Sequence, residues 1–146
     1  MSTDNLVDFF THDHRSCDET WIAVETAAEA GDQAAMASAY AQFHGELAHH
    51  FKMEEEVLFP AFEEATGMTQ GPTSMMRTEH EQMRGVLRQM DKACADGDGD
   101  GLTDLGDTLL MIIQQHNTKE EGMLYPAASE HIPTPWAELK ARIDAL

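Results

Sequence analysis

Six residues of the 146-residue chain combine metal-ligating side chains with helical spacing: His14, His50, Glu54, His80, His116 and Glu120. Two of the histidines stand four residues before a glutamate, His50 before Glu54 and His116 before Glu120. Residues i and i+4 share one face of a helix, so each pair can reach a common centre. The segments around them repeat. Residues 50–60 and 116–126 share the pattern H-x3-E-E-x2-L-[FY]-P, displaced by 66 residues. The same displacement carries Asp13-His14 onto Glu79-His80 and Trp21 onto Leu87. Two related helix hairpins, each giving one lone histidine and one H-x3-E pair, suit a site for two metal ions.

Imidazole with carboxylate and no thiolate suits iron, manganese or zinc. A tetrahedral structural zinc needs four ligands, so six point to a binuclear centre. Taken singly, a histidine facing a core is more often a hydrogen-bonded core residue, and a glutamate there an ion-pair partner. The joint pattern carries the reading. Ionised Glu54 and Glu120 on an apolar face without partners would cost on the order of several kcal/mol each, a penalty that bound cations remove. Cys17, one turn from His14, and Cys94, further along the third seam from His80, read as small buried hydrophobes. Ligating imidazoles must be neutral and carboxylates ionised, so metal binding should weaken as pH falls through about 6.

The elements that must position these residues are helices. Phe10, His14, Cys17, Trp21 and Val24 alternate spacings of four and three. Met36, Tyr40, Phe43, Leu47, His50, Glu54, Val57 and Ala61 form a second such seam. Met76, His80, Met83, Leu87, Met90 and Cys94 form a third. Leu102, Leu105, Leu109, Ile112, His116, Glu120 and Met123 form a fourth. An average period of 3.5 residues is that of helices facing one another in a bundle. Gly31-Asp32, residues 66–72 and residues 95–101 punctuate the seams, and connections this short favour antiparallel neighbours. The expectation is an all-α, antiparallel, up-down-up-down four-helix bundle over about residues 4–132, in a single domain. Measured from its turn, each of the four histidines lies roughly 25–30 Å along its helix at ~1.5 Å per residue, so all four can share one layer. Thr134-Pro135 reads as the N-cap and first turn of a short extra helix to residue 146, packed on the bundle or on a second subunit in a homodimer. Pro60 and Pro126 should kink or end their helices.

With those residues in place, the chain resembles the hemerythrin-like family, the HHE cation-binding domains, from about Leu6 to Ile132. The resemblance rests on D-H-x3-D at Asp13, the two H-x3-E-E motifs at His50 and His116, and E-H at Glu79. It implies a non-haem di-iron site with an oxo or hydroxo bridge, bridging carboxylates at Glu54 and Glu120, and terminal imidazoles at His14, His50, His80 and His116. Manganese or zinc remains open. Oxygen-carrying members have H-x3-H on the third helix, whereas His80 is followed four residues on by Arg84. Two irons offer about twelve coordination positions, of which protein and bridge would fill about ten, leaving about two for solvent or substrate. Glu46 and Glu79 are similar to extra carboxylates of iron-centre-repair members, but on this acidic chain they read as solvated helix faces. His12 and His49 fall off the seams and read as exposed.

Composition narrows the partners. With 27 acidic against 9 basic residues, the formal net charge is −18, which repels a phosphate backbone or an anionic membrane. Nucleic acid and membrane are therefore not expected partners. No apolar run is long enough for a membrane span, residues 1–5 lack leader features, and two cysteines make no disulfide framework. A cytoplasmic location is the default expectation. Ten methionines, mostly on seams, read as pliable core filler. Asp96 to Asp107 resembles an EF-hand calcium loop, but Thr103 and Asp107 depart from the pattern and Leu102 and Leu105 belong to the fourth seam. An acidic turn is the better account.

Three functions compete. In the first, a di-iron centre binds or reduces oxygen, peroxide or nitric oxide, with Tyr40 or Tyr125 close to the open positions. In the second, iron is stored, delivered or used in repair of iron centres. In the third, the bundle is structural, with zinc or no metal.

Overall fold

The computed structural model describes residues 4–146; residues 1–3, where the segment read for a leader begins, lie outside the described residues. The fold is an all-helical bundle, with no strand among the described residues. The helices are α1 (Leu6–Glu29), α2 (Gln33–Met53), α3 (Phe59–Thr66), α4 (Pro72–Ala95), α5 (Gly99–Lys119), α6 (Tyr125–His131) and α7 (Trp136–Asp144). Two π-helical turns, Glu54–Leu58 and Glu120–Leu124, join α2 to α3 and α5 to α6. No helix is long and apolar enough to cross a membrane.

Local chemistry starts and stops these helices. Asn5, Asp32 and Asp98 each accept a backbone N–H three residues on, satisfying an otherwise orphaned donor. Gly31 and Gly97 take positive φ, a conformation that costs glycine least. Because Asp98 is a cap and α5 begins at Gly99, the later acids of the EF-hand-like segment stand on a helix. Thr134 does not cap α7: the helix starts at Trp136, and Pro135 precedes it without a side-chain cap.

Each of α1, α2, α4 and α5 packs on two of the others, α1 on α2 and α5, and α4 on α2 and α5. Trp21, Phe43, Leu87, Met90 and Leu109 belong to one apolar cluster toward the turns at Gly31 and Gly97. Phe10, Leu58, Phe59, Met76, Leu124 and Tyr125 belong to a second, which Leu139 and Ile143 of α7 help to close. Thus α7 packs on its own bundle. The histidine layer lies between the two clusters.

Most seam positions are buried, with departures both beyond and before the carboxylates. Met123 is exposed, whereas Leu124 and Tyr125 are buried; Ala61 is partly exposed, whereas Phe62 is buried. On α5 the buried positions are Gly106 and Ile113, where the seam predicts Leu105 and Ile112. Cys94 is half-buried, with Ala93 in its place. The π turns explain the first two shifts. Pro60 and Pro126 have no N–H to donate, and an α-helical path would drive each ring against a carbonyl four residues back. Instead the N–H groups of Phe59 and Tyr125 donate to the carbonyls of Glu54 and Glu120, five residues back. That widened turn changes the phase of everything after it. The helical path runs on through both prolines into α3 and α6.

Candidate metal centre

All six sequence-predicted ligands converge. His14, His50, Glu54, His80, His116 and Glu120 are buried, and Glu54, His80 and Glu120 have no exposed surface. Ligand atoms of Glu54, His80, His116 and Glu120 form one group tight enough to hold a cation, and those of His14, His50 and Glu120 form another. Glu54 Oε1 lies 3.1 Å from His80 Nε2 and 3.3 Å from His50 Nε2. Glu120 Oε1 lies 3.1 Å from both His14 Nε2 and His116 Nε2.

Outside this layer, each imidazole leans on a carboxylate through its other nitrogen. His14 Nδ1 meets Glu121 at 2.7 Å, His50 Nδ1 meets Asp13 at 2.7 Å, His80 Nδ1 meets Glu55 at 2.6 Å and His116 Nδ1 meets Glu79 at 2.8 Å. Every bond crosses between helices, and the 66-residue repeat maps the set onto itself. Glu79 is therefore no solvated helix face, since it holds His116 and also accepts from Lys119. Glu46 is half-buried, with one carboxylate oxygen buried and unpartnered among the described residues. Arg84 points away from the ligand layer and forks onto Glu55 at 2.9 and 3.0 Å. His12 and His49 are exposed, as expected.

Sequence periodicity missed these outer carboxylates, because Asp13 and Glu55 adjoin ligands on their own helices but serve histidines on others. It left Tyr125 as one of two candidates. The π turn brings the Tyr125 hydroxyl into the layer, 2.7 Å from Glu54 Oε2, 2.9 Å from Glu120 Oε1 and 3.0 Å from His14 Nε2. Tyr40 instead donates to Asp91 and the Leu87 carbonyl, away from the ligand layer.

Proton accounting tests whether the residues fit a metal. Carboxylates only accept, so each Nδ1 carries the proton, and a neutral ring then offers a bare lone pair at Nε2. Those lone pairs face carboxylate oxygens and each other. His116 Nε2 and Glu120 Oε2 are buried without a hydrogen-bond partner among the described residues. The alternative to a cation is a second proton on the rings. Burial opposes charge on His50, but the Glu54 charge and hydrogen bonds to Asp13, Glu120 and Glu54 raise its pKa well above the ordinary value. His116 is raised likewise, against burial, chiefly by Glu120. Burial opposes ionisation of Glu120, yet its close contacts with Glu54 and with the His116, His14 and His50 rings hold its pKa well below the usual range. A set of acceptors that must borrow protons to coexist fits cations.

A family model, the hemerythrin HHE cation binding domain, matches residues 5–128. The chain belongs to the hemerythrin HHE cation-binding family. No curated protein and no solved structure matches it significantly. As a member of this family the chain is a cation-binding domain, and its buried histidine–glutamate cluster fits that role.

Proposed function

We propose that this hemerythrin-like chain holds two iron ions, one facing His14 and His50 and one facing His80 and His116. Glu54 and Glu120 would help to hold them, and the pair would serve to bind or reduce oxygen, peroxide or nitric oxide. The observation that carries this reading is the facing of four imidazole Nε2 atoms and two buried carboxylates with too few protons to bridge them. Mixed imidazole and carboxylate donors without thiolate favour iron, with manganese and zinc as rivals. Bound irons would supply redox electrons and a binding position for a small ligand.

The chain's own residues do the rest. Asp13, Glu55, Glu79 and Glu121 fix each ring with Nε2 inward and raise its basicity. Phe10, Phe51 and Phe59, all buried beside these rings, keep bulk water out. Short turns and the pattern of helix neighbours support an antiparallel up-down-up-down order for α1, α2, α4 and α5.

Anaerobic iron reconstitution, followed by exposure to air, azide and nitric oxide, tests the function. Visible absorption that appears in air and changes with azide or nitric oxide supports it. Iron that binds but gives no response to any of the three contradicts it, and iron that leaves quantitatively on each reduction favours delivery.

A further inference from the structure

The 66-residue repeat relates the two halves of the site, and among the places where it fails, three change a charge or a hydroxyl beside the site. Tyr125 matches Phe59: the phenol reaches His14 Nε2, Glu54 and Glu120, whereas the Phe59 ring stacks on His80 and offers no oxygen. Arg84 matches Asp18. Arg84 neutralises Glu55, the carboxylate behind His80, while the matching Asp18 brings no positive charge to Glu121, the carboxylate behind His14. Lys119 matches Met53. Lys119 pairs with Glu79, the carboxylate behind His116, whereas among the described residues no lysine or arginine pairs with Asp13 behind His50.

All three differences have the same sign. A carboxylate behind an imidazole raises the ring's basicity toward metal, and a cation on that carboxylate draws the effect away. The His80–His116 half has both outer carboxylates neutralised; among the described residues, the His14–His50 half has neither paired with a lysine or arginine. Tyr125 adds a donor on one side only, its oxygen lying 2.9 Å from Glu120 and 3.0 Å from His14 Nε2, whereas Phe59 offers the His80–His116 group none. Tyr125 has one proton to donate, which its shortest contact assigns to Glu54 Oε2, so its lone pairs remain for a cation.

We propose that the two metal positions are inequivalent, the His14–His50 position being the tighter, with Tyr125 as an added protein donor group there, and the His80–His116 position the more labile. This rests on the two-metal reading above. Arg84, Lys119 and Asp18 act as positioning residues through the outer carboxylates, and Tyr125 acts at the ions.

Titration of the metal-free chain with Co2+ against a competing chelator, read by visible absorption and metal analysis, tests it. The wild-type chain should fill in two steps separated by about tenfold or more, the scale of outer-residue effects on metal affinity. His14→Ala should abolish the tight step and His80→Ala the weak one. Tyr125→Phe should weaken the tight step, and Arg84→Ala should strengthen the weak one, so each narrows the gap. These two variants spare the six ligands and stand as the test even where a histidine variant fails to fold. Two indistinguishable steps, a gap unchanged in both Tyr125→Phe and Arg84→Ala, or loss of the tight step in His80→Ala would overturn the inference alone. Fewer than two Co2+ per chain would overturn the two-metal reading and this inference with it.

Discussion

The Nε2 atoms of His14 and His50 stand 3.2 Å apart, and each ring already leans its Nδ1 on a carboxylate. Two such nitrogens can share one extra proton or one cation, but they cannot both stay neutral and bare without repulsion. Metal binding and protonation therefore compete for the same atoms.

That competition gives a pH dependence in two directions. In metal-free protein His50 and His116 have raised pKa values. Their stabilisation is complete below the unfolded value, about 6.5, and is lost as pH rises through the folded values. Glu120 and Glu79 are lowered, and Glu55, opposed by burial but held by His80 and Arg84, is lowered to about 2. Their stabilisation is present above about 4.5 and is lost as pH falls through the folded values. Metal-free protein should melt highest between about pH 4.5 and 6.5 and progressively lower above that window. Added metal should raise Tm increasingly from pH 6 to 8. Calorimetry with and without metal checks both, and a metal-free Tm that climbs steadily to pH 8 would contradict the proton accounting.

Asp13→Ala removes the carboxylate behind His50 without disturbing a lysine or arginine. The affinity for Co2+ or Fe2+ should fall about 10–100-fold while the helix content is kept. Glu19→Ala, on an exposed position of the same helix, is the control and should leave affinity unchanged. Equal affinities for both variants would mean that the outer carboxylates are ornamental.

Gly106 lies where α5 meets the Trp21 indole, and a Cβ built there would overlap the ring. Trp21 is almost wholly buried and has nowhere to go. Gly106→Ala should destabilise by about 1–3 kcal/mol and lower Tm by several degrees, measured by thermal unfolding. An unchanged or higher Tm would show that the helices move apart without cost.

Asp32 accepts the N–H of Ala35 at the start of α2. Asp32→Ala should cost about 1 kcal/mol in denaturant unfolding, with metal stoichiometry unchanged, because the cap lies far from the ligand layer. Loss of metal in this variant would argue that the site depends on the distant turn.

The helices and the convergence of the six candidate ligands were legible because burial and spacing coincide: His14, His50, His80 and His116 recur on seams at matching distances from their turns. The register beyond Glu54 and Glu120 was not legible, because a π turn is a response of the backbone to Pro60 and Pro126. An even 3.5-residue period cannot express it. Met123 was therefore read inward, and Tyr125 was left as one of two candidate tyrosines. The outer carboxylates were present in the repeat, Asp13 with Glu79 and Glu55 with Glu121, but their partners lie across helices where no single-helix period points. Charge also misled, since an acidic residue on an acidic chain reads as solvent-facing until its histidine is placed beside it. Thr134 failed as a cap for a local reason: α7 starts after Pro135 with no side-chain acceptor in reach.

The most direct test of the account is anomalous diffraction at the iron absorption edge from crystals of iron-reconstituted protein. Two anomalous peaks should lie in the layer of His14, His50, His80 and His116, one against each histidine pair and both against Glu54 and Glu120. A single peak, or iron found only on the acidic surface while these six side chains keep their protons, would contradict it.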